Sequence, residues 1–394
     1  MRKKTVKDVS VKGKKVFTRV DFNVPLNDQG EIIADVKIKA ALPTIRYLLS
    51  EGASVILASH LGRPNGKVDE KLRLTPVAAR LQELIGAEVL KTDEVVGSQV
   101  TRMAESLQPG QILLLENVRF HPGEKKNDPR LAKAYAELAD LFVSDAFGTA
   151  HRAHASNVGV AAYLPAVAGF LMEKEITALS RSLHNPQQPV VAIVGGSKIT
   201  DKIDVLHNFL TIADAILLGG GMANTFLRAK GYNMGKSLFE PDQVEQAKEI
   251  MEKAQAKGVN LCLPVDVTVA TDLHAAESAE NVPVDAIPPE KMAVDVGEKT
   301  RALFAEQIKA AKTIVWNGPL GVFEVPAFAQ GTVAVAKMVA ASEAFSIIGG
   351  GDVVAAVEQA GVSEQISHLS TGGGATLEFW EGKELPGIAV LQDK

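Results

Sequence analysis

Short apolar, β-branched runs recur along this chain, and they are continuous rather than alternating. In the first half they occupy residues 15–18, 54–58, 112–115 and 141–143. In the second half they occupy 190–194, 215–218, 260–263, 313–316 and 345–348. A strand with one wet face alternates apolar and polar residues. A run that is apolar throughout belongs to a strand buried on both faces, as in a parallel sheet. Amphipathic helical patterns lie between the runs, at 41–50, 76–85, 129–139, 242–257 and 300–310. The second of these has Thr75 as its expected N-cap, followed by Pro76. Strand–helix alternation on this scale predicts an α/β fold with right-handed crossovers. Ligands of such sheets sit beyond the carboxyl ends of the strands.

The residues at the strand ends differ between the two halves. In the first half the runs end in basic and polar residues: Arg19, Asp21 and Asn23; His60 and Arg63; Glu116 and Arg119; His151, Arg152 and His154. Arginine forks suit a small, highly charged anion. Each cluster also has a structural reading. Arg19 and Asp21 can staple an edge strand, Arg119 can pair with Glu116 or Glu124, and the 151–154 segment can be a solvated basic turn. Jointly, four such clusters favour a convergent anion site. In the second half the runs end in glycines: Gly195-Gly196-Ser197-Lys198, Gly219-Gly220-Gly221, Gly349-Gly350-Gly351-Asp352 and Gly372-Gly373-Gly374. Glycine loops at strand ends let backbone N–H groups approach phosphates. A helix starting at about Ser197 would place Lys198 and Lys202 on one face, suited to a polyphosphate. Asp352, at a helix start, can cap the helix or hold Mg²⁺. Two sites of different character predict a two-substrate phosphotransferase.

Other classes fit less well. A net charge of −5 argues against a general nucleic-acid binder. No long apolar run predicts a membrane span. The lone Cys262 lies in an apolar run, reads as a buried position and fits a reducing cytoplasm. The stretch from Gly231 to Ser237 imitates a phosphate-binding loop but has Lys230 where the first glycine is required. No glycine cluster continues as G-x-G-x-x-G, which removes most support for an NAD-dependent dehydrogenase.

The motifs taken together resemble the phosphoglycerate kinase family. They are Arg19-Val20-Asp21-Phe22-Asn23-Val24-Pro25, Ser59-His60-Leu61-Gly62-Arg63-Pro64, Glu116-Asn117-Val118-Arg119-Phe120, Asp145-Ala146-Phe147-Gly148-Thr149-Ala150-His151-Arg152, Trp316-Asn317-Gly318-Pro319-Leu320-Gly321, and Ser370-Thr371-Gly372-Gly373-Gly374, in order over essentially the whole chain. The resemblance implies two Rossmann-like parallel-sheet domains joined by a helical hinge. The expected boundaries are 1–170 plus about 377–394, a hinge helix and linker at 171–189, and 190–376. It implies that 3-phosphoglycerate or 1,3-bisphosphoglycerate meets Asp21, Asn23, Lys37, His60, Arg63, Arg119 and Arg152. It further implies a MgATP or MgADP site at Lys202, Gly219, Gly220, Gly297, Val322, Glu324, Gly350, Gly351, Asp352 and Val353, with Asp352 on the metal. Lys198, Lys37, Gly373 and Gly374 would balance charge on the transferring group. The expected protein is a cytoplasmic monomer with no nucleic-acid or membrane partner.

Two departures stand out. The family usually has arginine before Ile38, where this chain reads Lys37-Ile38-Lys39. Lysine keeps the charge but loses the planar fork, so Lys37 or Lys39 substitutes or catalysis is weakened. Val353 stands where the family usually has Ser or Thr, which implies a weaker phosphate contact. An impaired homologue that binds nucleotide is the reading these two positions leave open.

Overall fold

A computed structural model describes residues 2–394, which divide into two compact units: 2–177 with 384–394, and 178–383. The first unit holds β1 (Lys15–Val20), β2 (Ser54–Ala58), β3 (Val89–Lys91), β4 (Ile112–Leu114), β5 (Leu141–Asp145) and β6 (Ala166–Ala168). They form one six-stranded sheet in the order β3-β4-β2-β1-β5-β6, parallel throughout. The order turns at β1, which pairs β2 on one side and β5 on the other. That switch point is where open α/β sheets leave a crevice for ligands.

Every residue of β2, β4 and β5 is buried. One face of the sheet packs on helices Val36–Ser50 and Thr75–Ile85 through Ile38, Ile45, Leu48, Val77 and Leu81. The other carries Phe17 against Tyr135 and Phe142. Helix Val36–Ser50 starts five residues before the expected pattern, and Thr75 is its helix's first residue, with Leu74 at the N-cap position. Neither of these helices has a side-chain cap at its start.

The second unit contains β7 (Val190–Val194), β8 (Ala215–Leu218), β9 (Asn260–Cys262), β10 (Asp266–Ala270), β11 (Glu280–Pro283), β12 (Met292–Val296), β13 (Thr313–Asn317), β14 (Phe345–Gly349) and β15 (His368–Ser370). Its main sheet runs β15-β14-β13-β7-β8-β9, again parallel, with the switch at β7. Strands β10–β12 form a small antiparallel sheet, β11-β10-β12, that the sequence patterns do not reveal. The main core joins Ile193, Leu217, Trp316, Ile348 and helix residues Phe304, Val335 and Val353.

The grouping returns only 384–394 to the first unit, whereas the expected boundary fell near Leu377. Helix Gly374–Trp380 stays with the second unit because Trp380 stacks edge-on to Phe209 at 6.1 Å and its carbonyl accepts from Asn208 at 2.7 Å. Helix Phe170–Leu183 carries the division. Its start is held by the buried Asp145 at the end of β5, whose Oδ1 accepts from Leu171 N at 2.9 Å and Met172 N at 3.2 Å. Burial raises that carboxyl to about 7.

Candidate active site

In the first unit, the loops beyond β1, β2 and β4 are tied at Gly62. Asn23 Oδ1 accepts from Gly62 N at 2.8 Å, and Arg119 donates to Gly62 O at 2.8 Å. Gly62 has φ 60°, and a Cβ there would lie 2.7 Å from Leu72, so only glycine suits this position. Strand β1 ends at Val20. Asp21 and Asn23 therefore sit in the following loop rather than on the strand, and Asn23 N donates to Asp21 Oδ1 at 3.0 Å.

Lys37 and Lys39 now separate. Lys37, in the first turn of its helix, bonds Asp21 at 2.9 Å. Lys39 is exposed and pairs with Asp35 at 2.9 Å, on the side of Arg80. Only Lys37 belongs with the candidate anion ligands.

Arg119 is buried, yet it takes neither acid suggested by its sequence neighbourhood. Glu116 accepts from Arg73 and Lys91, at 3.1 and 2.9 Å. Glu124 accepts from Ser156 Oγ at 2.5 Å. Arg119 Nε is left buried without a hydrogen-bond partner. Burial pushes its guanidinium down to about 10, and the charges of Arg19 and Arg152 add to the effect. Cations held this close with an orphan donor among them form a site that an anion would relieve.

His60 and His154 are both buried. Burial, then Arg19 and Arg119, push the His154 imidazole down to about 4 and hold the His60 imidazole well below its ordinary range. Arg152 is exposed and donates to His151 at 3.0 Å. Arg63 is exposed on the loop after Gly62 and, among the described residues, has no ion pair. Arg19, which reads from sequence as an anion clamp or an edge staple, is neither. It is 1% exposed and reaches Ser156, Val20 O and His60.

The second unit holds a cavity of about 350 Å³ beyond β7, β8, β12 and β13, within the usual range for small-molecule sites. Its walls are apolar at Leu238, Val267, Met292, Val294 and Leu320, with Ser197, Asn224, Asp295, Glu324 and Asp352 as polar members. Of the residues expected at the nucleotide, Gly220, Val322, Glu324 and Asp352 line it. Gly219 packs under it against Leu320, and Gly297 is the N-cap of helix Glu298–Ala310, pressed on Asp266.

Four of the glycines after β7 and β8 do not offer free N–H groups, whereas Gly221, in the first turn of helix Gly220–Ala229 and on the cavity wall, keeps its own. Gly195 N goes to Asn317 O, Gly196 N to Pro319 O, Gly219 N to Val194 O and Gly220 N to Leu320 O, at 2.9, 2.9, 3.1 and 2.9 Å. Their lack of side chains serves loop-to-loop packing: a Cβ on Gly195 would fall 2.1 Å from Pro319 O. Further free donors lie at the start of helix Gly351–Gln359, whose first-turn N–H groups have no partner within the helix. Gly350 caps it and Asp352 lies in that turn. Val353 points into the core with no exposure, so its side chain does not face the cavity.

The expected helix at Ser197 does not form. Residues Thr200–Lys202 make a 3-10 turn before helix Ile203–Phe209, which leaves Lys198 exposed in the preceding loop and off the helical face of Lys202. Lys202 is half-buried and bonds Asn317 Oδ1, while Asn317 Nδ2 donates to Gly349 O at 2.6 Å. Burial lowers the Lys202 ammonium, opposed by Asp201, Glu381 and Asp352. Asn317 is the member that sequence reasoning missed. The signal was its place as the sole polar residue closing the apolar run of β13. Gly373, with φ 53°, and Gly374 are exposed at the start of helix Gly374–Trp380.

A family model described as phosphoglycerate kinase matches residues 6–383. The chain belongs to the phosphoglycerate kinase family. It is 55% identical over all 394 residues to the phosphoglycerate kinase of Pelotomaculum thermopropionicum, with both chains fully covered. Among solved structures, phosphoglycerate kinase from Coxiella burnetii superimposes with a TM-score of 0.91 at 46% identity, covering 98% of each chain. The enzyme from Pyrococcus horikoshii OT3 gives 0.85 at 36% identity, again over 98% of each. The two parallel-sheet α/β units are those of a phosphoglycerate kinase. The activity is reversible phosphoryl transfer between 1,3-bisphosphoglycerate and ADP, giving 3-phosphoglycerate and ATP, a step of glycolysis.

Proposed function

We propose that the basic cluster of the first unit holds the phosphoglycerate and that the cavity of the second holds the nucleotide. The observation that carries this division is Arg119: a buried guanidinium with an orphan Nε, crowded by like charges and lacking an acid partner. Asp21, Asn23, Lys37, His60, Arg63 and Arg152 complete the phosphoglycerate set. Lys202, Gly219, Gly220, Gly297, Val322, Glu324, Gly350, Gly351, Asp352 and Val353 make up the nucleotide set.

The chemistry asks little of a base. In the direction of ATP use, an ionised carboxylate oxygen of 3-phosphoglycerate attacks the γ-phosphorus, a P–O bond forms, and the bond to ADP breaks. A carboxylate is already ionised at neutral pH, so no proton has to be removed. Catalysis then rests on positioning and charge balance. In this reading Lys37 gives up part of its bond to Asp21 to face the ligand, and Lys198, Gly373 and Gly374 meet the group in flight. Transfer needs both ligands within reach, so turnover includes domain closure.

Among the described residues no three acids, histidines or cysteines gather to hold a metal by themselves. Mg²⁺ needs no such group when nucleotide phosphates and waters fill its octahedron. Asp352 on the cavity wall is the carboxylate for it, and the bound ion would neutralise phosphate charge. No helix among the described residues is long and apolar enough to cross a membrane. A cytoplasmic monomer remains our reading, checked by light scattering. The activity is tested by 3-phosphoglycerate-dependent ATP use with Mg²⁺, coupled to NADH oxidation through glyceraldehyde-3-phosphate dehydrogenase. Robust turnover supports the reading and shows that Lys37 is tolerated. Binding of both ligands without turnover would leave an impaired homologue.

A further inference from the structure

We propose that Arg19 is a positioning residue that locks His60 as a neutral imidazole with its proton on Nε2, giving the basic site a permanent N–H donor. The inference rests on the phosphoglycerate reading only for what that donor meets. The lock itself derives from the geometry. Arg19 Nη2 lies 3.1 Å from His60 Nδ1. A guanidinium has five N–H donors and no acceptor, so Nδ1 must be the acceptor. A neutral imidazole that accepts at Nδ1 carries its hydrogen on Nε2.

Arg19 is held firmly enough to enforce this. Its Nε donates to Ser156 Oγ at 2.9 Å, its Nη1 donates to the Val20 carbonyl, and Ser156 Oγ donates in turn to Glu124 Oε1 at 2.5 Å. Arg19, Ser156 and Glu124 are at most 1% exposed, so water does not compete for these bonds. With each guanidinium nitrogen engaged, Arg19 acts on the ligand through His60 rather than by touching it. Double protonation of the ring would set an N–H against the guanidinium. Burial and the charges of Arg19, Arg119 and Lys37 oppose it further. His60 therefore offers a hydrogen to a carboxylate, phosphate or hydroxyl oxygen and shuttles no proton, as suits a reaction that moves none.

Long-range proton–nitrogen correlation spectra of the full-length protein, with isotope-labelled histidine and His60 assigned through His60→Gln, read the tautomer directly. The expected spectrum shows a protonated Nε2 and an unprotonated Nδ1, unchanged over about pH 5.5 to 8, the window in which free histidine titrates. An Nδ1–H tautomer, or a charged ring above pH 6, would overturn the proposal. Arg19→Met should mix the two tautomers and raise KM for 3-phosphoglycerate about fivefold, the worth of roughly one hydrogen bond, with KM for ATP unchanged. An unaltered His60 signal in folded Arg19→Met would also overturn it. If that variant does not fold, the wild-type spectrum alone decides. Addition of 3-phosphoglycerate should move the Nε2 proton. The expected tautomer with no such movement would uphold the lock and count against the phosphoglycerate reading.

Discussion

In the first unit the strand-end loops are bound together by side chains: Asn23 takes the Gly62 N–H, Arg119 reaches the Gly62 carbonyl, and Arg19 reaches His60. In the second unit the corresponding loops are bound by backbone, Gly196 to Pro319 and Gly220 to Leu320. The same parallel-sheet frame thus makes two kinds of site. Side chains gather charge and leave a cationic cluster whose donors are not all used. Backbone packing keeps side-chain bulk out and leaves a largely apolar cavity with polar groups at Asn224, Asp295, Glu324 and Asp352.

That contrast can be broken or sharpened by substitution. The largest effect is expected where the two sites share the transferring group. Lys198→Ala should lower kcat by about 10²–10³-fold with little change in either KM, because a charge that acts on the transition state is lost. An unchanged kcat would remove Lys198 from the reaction. Asp352→Asn should raise KM for the Mg-nucleotide by about tenfold or more and leave KM for 3-phosphoglycerate in place. A matching rise in both would show that the two sites are not separable in this way.

A smaller effect concerns stability. Asp145 sits near 7 in the folded protein, against about 3.9 for a free aspartate. Between those values the folded state binds more protons than the unfolded state, so stability is highest below pH 4 for this group and falls as pH rises toward 7. Asp145→Asn keeps an acceptor for Leu171 and Met172 and should remove that slope, about 2–4 kcal/mol across the window. Denaturant unfolding at several pH values checks it, and an equal slope in the variant would contradict it. The smallest effect is Lys37→Arg, expected to leave turnover unchanged or raise it a few-fold by restoring a planar fork. A large fall would mean that this chain has re-tuned the site around lysine.

Much of the frame is legible in the sequence because strands buried on both faces leave continuous apolar runs, as in β2 and β7. Strands β3, β6 and β15 and the small sheet of β10–β12 escape that signal. Glu280–Pro283 is largely exposed, and its pairing partners fix it rather than its own pattern. The candidate site residues are legible as motifs, but their roles are less so. The glycines after β7 and β8 read as donors to phosphate, whereas the N–H groups of Gly195, Gly196, Gly219 and Gly220 are consumed by neighbouring loops. That depends on which loops meet, a tertiary fact. Arg19 and Arg119 look alike as strand-end arginines. Burial and partners separate them, since one has each of its three nitrogens engaged, by Ser156, Val20 and His60, and the other keeps an orphan Nε.

The division between a cationic side-chain site for phosphoglycerate and an apolar cavity for nucleotide is tested most directly by the two Michaelis constants of Arg119→Ala. KM for 3-phosphoglycerate should rise about 10–100-fold, the loss of a charge-assisted bond to an anion, with KM for ATP within about twofold of the parent. Equal rises for both substrates, or a rise for ATP alone, would contradict that division.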